Sequence, residues 1–498
     1  MFSVLRRHSL VVIALLAAAC TPVFPLFATL DHASGAGNEI RIVWPTANDA
    51  EWPEPGHAIA NYEVWVDGAL IATPGATTNA CRIDGLASAT AYLIAVPVVS
   101  AGGERGDEFP SLGVLAATVT TPAGSDPGGA LACVVEPDTD GDRLPDWAET
   151  GTGTFVDPTD TGTDPLLADT DDDGLTDGEE ILGTPLGLSL AALGANPLRA
   201  TVLVEIDWMD DDDECGPHSH RPTPAGIARV QSAFAAAPTA NPDGTTGIDL
   251  VVDYGQGGVF QGGNLIPDAI APIGSINGGV SGSEFAAIKA EHFSPVREGY
   301  FHYSLHIHRY NTSSDSSGQA EVFGDDLIVS LYCFDVEPFT SSTFMHELGH
   351  NLGLRHGGVI STNWKPNYNS IMNYRFQFSG IDAETGPGAC DALGDDILDY
   401  SRDTRVAIDE NAVDESAGVC GTAAVDFNEN LAIDPIYAGS INQDIGLDLL
   451  EDHADWFALD FGSVDDADGA APFQRNTTPL SSEQPVPDWV IDAHGHDH

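Results

Sequence analysis

The strongest constraint on the fold comes from one eleven-residue segment, His346 to His356, which reads His-Glu-Leu-Gly-His-Asn-Leu-Gly-Leu-Arg-His. His346 and His350 are four residues apart, so a helix would place both imidazoles on one face, where they can bind one zinc ion. Gly353 can take a left-handed backbone conformation that ends the helix, which lets His356 return as a third ligand. Three ligands leave one position open for water, and Glu347 lies beside it as a general base. The segment therefore predicts a catalytic zinc site.

A second motif follows the third histidine at a short distance. Residues 370–374 read Ser-Ile-Met-Asn-Tyr, and Met372 stands 16 residues after His356. Together the two motifs resemble those of the metzincin zinc metallopeptidases, in which the HExxHxxGxxH segment precedes a methionine turn. The resemblance implies that Met372 forms an apolar floor beneath the zinc ligands. It also implies that Tyr374 stabilises the oxyanion of the transition state.

The chain around these motifs alternates apolar strands with helical segments, as a sheet covered by helices would. We therefore predict a metzincin-like α/β catalytic domain at residues 197–470. In metzincins the substrate adds a strand to the sheet edge just before the active helix, which the resemblance places near residues 322–332. The predicted function is an exported zinc endopeptidase that hydrolyses peptide bonds of extracellular proteins, with Glu347 as the base. The alternative is a calcium-dependent surface adhesin whose peptidase-like domain is inactive.

Two acidic loops within residues 137–196 repeat one spacing 31 residues apart. In each loop, carboxylates stand at positions 1, 3, 5, 9 and 12, a spacing with which oxygen ligands can surround one calcium ion. The residues are Asp138, Asp140, Asp142, Asp146 and Glu149 in the first loop, and Asp169, Asp171, Asp173, Asp177 and Glu180 in the second. Gly174 occupies the sharp-turn position of the second loop, whereas Arg143 occupies it in the first. The pattern resembles thrombospondin type 3 calcium repeats, and a solvated acidic linker is the alternative.

Residues 38–122 alternate apolar and polar side chains in several short runs, which predicts a small β-sandwich. Trp44 and Tyr92 stand where fibronectin type III domains keep a core tryptophan and a tyrosine corner, so the segment resembles that family. Residues 123–136 would link it to the calcium loops. The predicted fold class is therefore multidomain: a fibronectin III-like β-sandwich, loop-rich calcium-binding repeats and an α/β metzincin-like catalytic domain.

The N-terminus predicts export. Two arginines precede a short apolar run, Leu10 to Ala19, which is typical of a signal peptide at residues 1–20 and too short to span a bilayer. The Ala-Ala-Ala-Cys at its end resembles the lipobox of bacterial lipoproteins, in which Cys20 would be acylated; cleavage by an ordinary signal peptidase is the alternative. We expect either an outer-membrane surface lipoprotein anchored through Cys20 or a secreted protein. Residues 21–37 would be a linker and residues 471–498 a polar tail.

Removal of Cys20 leaves an even number of cysteines, which in an exported chain predicts disulfides. They are Cys81, Cys133, Cys215, Cys333, Cys390 and Cys420. Cys390 and Cys420 bracket one loop-rich stretch and form the best candidate pair. A Cys215 thiolate that masks the zinc in a latent form is the alternative for that residue.

The net charge disfavours two classes of partner. The chain has 76 acidic and 18 basic side chains, which gives −58 at pH 7. Phosphates of nucleic acids and of anionic lipids would be repelled, so we expect a protein or peptide substrate and no nucleic acid. Sixteen of the acidic residues lie within residues 136–180 and are interpreted as cation ligands, and the others as solvating surface.

Further metal-binding residue types occur in incomplete patterns, for each of which packing or solvation is the alternative. Asp426, Asn428, Asn430 and Asp434 repeat the first four calcium positions, but Tyr437 stands at position 12. Histidines gather in three further places: His302, His306 and His308 on one predicted strand face; His218 and His220 beside the acidic run Asp210 to Glu214; and His494, His496 and His498 at the C-terminus.

Overall fold

The computed structural model describes residues 27–32, 38–47, 59–103, 105, 115–121, 123–211, 216–267, 274–311, 316–334, 337–384 and 390–464. The predicted signal peptide with Cys20, the residue Cys215 and the predicted C-terminal tail lie outside this part of the chain. The chain divides into two units, residues 1–200 with 241–245 and residues 201–240 with 246–498. The protein is multidomain and rich in β-sheet, with few helices.

Among the described residues of the first unit, ten strands precede the acidic loops. They are β1 (Phe27–His32), β2 (Asn38–Val43), β3 (Ile59–Tyr62), β4 (Val64–Val66), β5 (Ala69–Ala72), β6 (Ala80–Leu86), β7 (Ala91–Val96), β8 (Val98–Ser100), β9 (Leu115–Thr120) and β10 (Ala132–Val134). Two four-stranded sheets run in the orders β1-β2-β6-β10 and β5-β4-β7-β9, and β3 pairs with β8. Every pairing is antiparallel, as the alternation of apolar and polar residues in these strands favours.

Side chains from both sheets of this unit form one apolar core. Trp44 and Tyr62 lie at its centre with their ring centroids 5.7 Å apart. The Tyr92 hydroxyl accepts a hydrogen bond of 2.8 Å from the backbone N–H of Ala87, five residues upstream. This contact is the one that a tyrosine corner makes.

Both segments predicted as linkers contain strands, so the linker predictions are wrong there. β1 lies within residues 21–37 and pairs with β2, and β10 lies within residues 123–136 and pairs with β6. A disulfide between Cys81 and Cys133 joins β6 to β10, with the Cα atoms 5.6 Å apart. β10 is only three residues long and too short for its sequence to show a strand period, whereas the disulfide and the sheet edge hold it in place.

The acidic segment that follows is mostly loop, with the short helices α1 (Asp177–Leu182) and α2 (Leu190–Leu193). Thr176 and Glu179 form a reciprocal capping box at the start of α1. Leu144 and Leu182 from this segment pack against Val43 of the first sheet in a small buried cluster. The acidic loops are thereby attached to the sheets of their own unit.

The second unit is built on a five-stranded sheet in the order β14-β11-β15-β17-β16. Its elements are β11 (Thr201–Trp208), β12 (Asp210–Asp211), β13 (His218–Ser219), α3 (Pro224–Ala235), β14 (Asp249–Asp253), α4 (Ser283–His292), β15 (Phe301–His306), β16 (Gly318–Ala320), β17 (Asp326–Val329), α5 (Phe339–Asn351), β18 (Ile408–Asp409) and β19 (Leu449–Leu450). The first four strands of the sheet are parallel and β16 is antiparallel. All eight residues of β11 are buried, as expected for a central parallel strand.

The predicted edge strand is wrong. Residues 322–332 contain β17, which pairs with β15 on one side and with β16 on the other. The edge on that side of the described sheet is β16, whose sequence, Gly-Gln-Ala, has no strand pattern. Register with β17, rather than local propensity, makes it a strand.

Residues 352–464 contain few regular elements among those described. Apart from the two-residue strands β18 and β19, which pair with each other, and two short 3-10 helices at Asp455–Phe457 and Phe461–Val464, the described part of this region is made of turns and loops. The predicted disulfide between Cys390 and Cys420 is confirmed, with Cα atoms 6.2 Å apart, and Cys333 is also disulfide-bonded. None of the described helices is both long and apolar enough to cross a membrane.

Candidate metal centres

Helix α5 carries the first two histidines of the candidate zinc site. All thirteen of its residues are buried, and it packs against β16 and β17. The Nε2 atoms of His346 and His350 lie 3.2 Å apart. Two ligands of one tetrahedral zinc ion would be about 3.3 Å apart, given zinc–nitrogen distances near 2.0–2.1 Å. Both imidazoles therefore lie on one face of the helix, as the sequence predicts.

Backbone carbonyls orient both imidazoles of this helix. Nδ1 of His346 lies 2.8 Å from the Ile371 carbonyl oxygen, and Nδ1 of His350 lies 2.8 Å from that of Leu354. Only a protonated Nδ1 can donate to a carbonyl, so each ring keeps its Nε2 lone pair for a ligand. This arrangement is typical of metal-binding histidines.

The turn after α5 returns the third histidine. Gly353 has φ of 95°, and its N–H donates to the His350 carbonyl at 2.9 Å. A Cβ on Gly353 would overlap the ring of Phe323, so glycine is required for space as well as for φ. The ring of His356 then lies 5.4 Å from that of His346 and 4.9 Å from that of His350. One ligand nitrogen from each of the three histidines falls within 4.8 Å of the others.

The methionine segment packs directly beneath α5. Met372 is fully buried, and a Cβ on Gly349 would overlap its sulfur atom, so a glycine in the helix permits the contact. The carbonyl of Ile371 in the same turn is the acceptor for His346. The turn therefore contributes an apolar floor and also the hydrogen bond that sets one ligand's orientation.

Tyr374 lies next to the third histidine. Its ring centroid is 4.3 Å from that of His356 and 6.0 Å from that of His346. The Tyr374 N–H donates to Oδ1 of Asn363 at 3.0 Å, which fixes the backbone on that side. The predicted tyrosine is thus near the ligand set and only half-buried.

Glu347 is fully buried and faces the edge strand β16. A Cβ on Gly318 would overlap Oε1 of Glu347, so the glycine leaves the space that this carboxylate occupies. No local sequence pattern marks Gly318, because Glu347 lies 29 residues further along the chain. The structure therefore places the predicted base between the first histidine ligand and a strand edge.

A buried lysine holds the loop that carries the third histidine. Nζ of Lys365 donates to the carbonyl of Gly357 at 3.0 Å and to that of Glu451 at 2.7 Å. Burial lowers the pKa of Lys365 to about 8, against the attraction of Asp452 and other nearby carboxylates. The sequence carries one signal for this residue, since only two of the chain's basic residues are lysines, but that signal does not assign it a role.

The two acidic loops share one hydrogen-bonding pattern. In each, the carboxylate at position 1 accepts the N–H groups of positions 4 and 6, and the one at position 9 accepts the N–H and hydroxyl of a threonine at position 2. Position 6 has a positive φ in both loops, 83° for Arg143 and 90° for Gly174. The arginine therefore adopts the required turn, and its guanidinium donates to Thr46 and to the Gly183 carbonyl.

Carboxylate oxygens converge in each loop. The first three acidic positions of each loop bring one oxygen apiece within 4.8 Å of one another, and so do Asp142, Glu149 and Asp177, which span the two loops. Neither carboxylate oxygen of Glu180 has a hydrogen-bond partner among the described residues, although the side chain is buried. Burial raises the pKa of Asp177 to about 7 and that of Glu149 to about 9. Buried carboxylates that repel one another in this way fit the charge of a calcium ion.

In the third acidic loop, residues 426–437, the carboxylates accept hydrogen bonds from N–H groups of the same loop. Asp426 accepts the N–H groups of Asn430 and Leu431, and Asp434 accepts the side-chain amides of Asn428 and Asn430. The buried Glu415 accepts three backbone N–H groups of the loop from outside it. Calcium binding by this loop stays a prediction.

The fold groups the other candidate histidines differently from the sequence-based prediction. His308 lies with His218 and His220, whereas the ring of His306 contacts Phe344 at 5.8 Å. His302 is six residues from His308, about 20 Å along an extended strand, so the three strand histidines cannot bind one ion. Burial lowers the pKa of His302 to about 4.

Comparisons with known protein families, curated proteins and solved structures found no match to this chain. The resemblance to metzincins therefore depends on the two motifs. The case for a function depends on the geometry of the histidine, carboxylate and tyrosine side chains described above.

Proposed function

We propose that the chain is an exported zinc-dependent endopeptidase of the metzincin type. The observation that carries the proposal is the convergence of His346, His350 and His356, two of them oriented by backbone carbonyls, beside the buried carboxylate of Glu347. The donor set fits zinc, because three neutral imidazoles leave a fourth position open. The methionine turn beneath the helix adds support, since it holds one of the ligands.

Each side chain has a separate role in this proposal. The three histidines would hold zinc, which when bound polarises the scissile carbonyl and lowers the pKa of water toward roughly 7. Glu347 would accept a proton from the attacking water at a carboxylate oxygen and deliver it to the leaving amine nitrogen. The phenol of Tyr374 would donate a hydrogen bond to the oxyanion. Burial of Glu347 limits competing hydrogen bonds from bulk water to its carboxylate.

The proposal includes the rest of the chain as a modular, extracellular scaffold. We interpret the two-sheet domain as fibronectin III-like and the acidic segment as thrombospondin type 3-like repeats that bind structural calcium. The shared hydrogen-bonding pattern of the two loops supports this interpretation. Acylation of Cys20 would anchor the protein to a membrane, and its partners would be protein or peptide substrates.

Proteolysis of an unstructured protein tests the peptidase proposal. Wild-type and E347Q chains are loaded with zinc and calcium and incubated with reduced, alkylated casein. We expect E347Q to cleave about 10²–10⁴-fold more slowly, the usual contribution of a general base. Phenanthroline, which removes zinc and leaves calcium, should abolish wild-type cleavage.

The matched control is E298Q, an exposed glutamate in the same unit, which should cleave at the wild-type rate. Equal cleavage by wild type and E347Q would contradict the proposed base. If the zinc-loaded wild type cleaves nothing, the inactive-adhesin alternative is favoured instead.

A further inference from the structure

A second group of three histidines converges in the same unit, outside the candidate zinc site. His218 and His220 come from the β12–β13 hairpin region, and His308 follows β15. One ligand nitrogen from each lies within 4.8 Å of the others. The ring centroids are 4.7 Å apart for the first two, and each lies 5.7 Å from the ring of His308. The rings of His346, His350 and His356 have nearly the same spacing, with centroid separations of 4.8, 5.4 and 4.9 Å.

The cluster is buried, and its backbone is fixed on several sides. His220 and His308 are 1% and 3% exposed, and His218 is half-buried. The N–H of His220 donates to the Met209 carbonyl at 3.0 Å, and the N–H of His308 to the Gly274 carbonyl at 2.8 Å. Two remote chain segments are thus held so that their imidazoles meet.

One imidazole of the cluster has the orientation of a metal ligand. Nδ1 of His218 lies 2.9 Å from the Gly216 carbonyl oxygen, so Nδ1–H donates and Nε2 keeps its lone pair. His346 and His350 of the candidate peptidase site are oriented in the same way, by backbone carbonyls. Neutral imidazoles favour zinc and its neighbours in the transition series over calcium or magnesium. Asp210 and Asp211 form β12 of the same hairpin, paired with Ser219 and His218, and their charge adds an attraction for a cation.

We propose that His218, His220 and His308 supply three ligands of a second zinc site, separate from the peptidase site, and that the ion bound there fixes the hairpin. β12 and β13 are two residues each, and so short a hairpin is not stable alone. A metal ion bound by both segments would cross-link the hairpin to the end of β15. The proposal does not depend on peptidase activity.

The test is a metal titration of a chain that lacks the other histidine sites. The full-length background carries H346A/H350A to remove the peptidase site and H494A/H496A/H498A to remove the terminal histidines. Calcium is kept saturating so that the acidic loops are occupied. Co²⁺ is the probe, because its visible absorption reports coordination, and Zn²⁺ is then added in competition. We expect one equivalent of Co²⁺ to bind and to be displaced by Zn²⁺.

Two variants in that background assign the site. H220A/H308A should lose the Co²⁺ spectrum, whereas H302Q, which replaces a buried histidine of β15, should keep it. If H220A/H308A does not fold by circular dichroism, H218Q replaces it and should weaken Co²⁺ binding by about tenfold or more.

Either of two results would overturn the proposal: no Co²⁺ or Zn²⁺ bound by the folded background chain, or unchanged binding after the cluster is substituted. If E347Q does not slow proteolysis, the peptidase proposal fails, but Co²⁺ binding by the second histidine cluster is not affected. The two proposals can therefore fail separately.

Discussion

At the scale of single residues, the candidate zinc site depends on groups that a substitution cannot easily remove. The acceptors for His346 and His350 are backbone carbonyls, of Ile371 and Leu354. The ligand orientation therefore depends on the path of two loops. That path depends in turn on a few side chains, of which Gly353 and Lys365 are the clearest.

Lys365 provides the first residue-scale prediction. K365M would leave the carbonyl of the buried Gly357 without its donor, at a cost of about 1–3 kcal/mol, and would also remove the hydrogen bond to the carbonyl of the exposed Glu451. Because Gly357 follows His356 directly, we expect the zinc dissociation constant to rise by about tenfold, as for other groups that support metal ligands. Competition with a zinc indicator measures it.

The control for this prediction is K289M. Lys289 pairs with Asp325 and Asp326 on another part of the same unit, so its loss should destabilise the fold without changing zinc affinity. Equal zinc affinity in wild type and K365M would show that the loop is held by other contacts.

At the scale of elements, the acidic loops are two copies of one hydrogen-bonding pattern, and each brings several carboxylates close together. The Glu180 carboxylate is buried and lacks hydrogen-bond partners among the described residues, and burial raises its pKa well above the usual value. If the loops bind calcium as we propose, the Glu180 carboxyl destabilises the fold without the ion and stabilises it with the ion. Replacement of Glu180 by glutamine, which is neutral and has the same shape, should therefore change the stability in opposite directions with and without calcium.

E180Q is expected to change the sign of its effect with calcium. In EGTA the variant should be more stable than wild type, because it removes a buried carboxyl that repels its neighbours. In saturating calcium it should be less stable, because it removes the position-12 ligand. Thermal unfolding in both buffers measures the two effects. E179Q, its neighbour in the capping box, should behave like wild type in both, and a single sign for E180Q would contradict the calcium assignment.

The pH dependence follows from the same carboxyls. Their folded pKa values are raised, so between about pH 4 and the folded pKa the folded state binds more protons than the unfolded state. For Asp142 and Asp177 that window ends at about pH 7. Stability in EGTA should therefore fall as pH rises through this window.

The sequence predicted those parts of the sites whose residues are close together in the chain. His346, His350 and His356 lie within eleven residues, and each calcium loop lies within twelve, so local geometry determines them. The edge strand β16 and the cluster of His218 with His308 depend on strand order and on residues far apart in sequence. Periodicity carries no information on either, because it reports which face is buried and not which strand is the neighbour.

At the scale of the whole molecule, covalent links compensate for sparse regular structure. Residues 390–464 contain only β18 and β19 as strands among the described residues, and the Cys390–Cys420 disulfide closes a loop there. The large acidic surplus adds self-repulsion that such a region has to overcome. The disulfide is therefore expected to contribute substantially to its stability.

Replacement of Cys390 and Cys420 by alanine tests this contribution. For a separation of 30 residues, the chain-entropy estimate is about 3–4 kcal/mol of the free energy of unfolding. C81A/C133A is the matched control, because it removes a disulfide from the first unit. Limited proteolysis with mass mapping should show the first variant cut within residues 390–464 and the control cut elsewhere. Identical cleavage patterns would contradict the prediction.

The hydrogen bond from the Gly178 N–H to Asp142, 2.7 Å long, joins the second acidic loop to a ligand of the first. If both loops bind calcium as we propose, occupancy of one is expected to alter the affinity of the other, and by thermodynamic linkage the effect is reciprocal. Titration of the segment should then give a Hill coefficient that differs from one. A chain built in this way would stiffen when calcium binds, so its rigidity would depend on the calcium concentration around it.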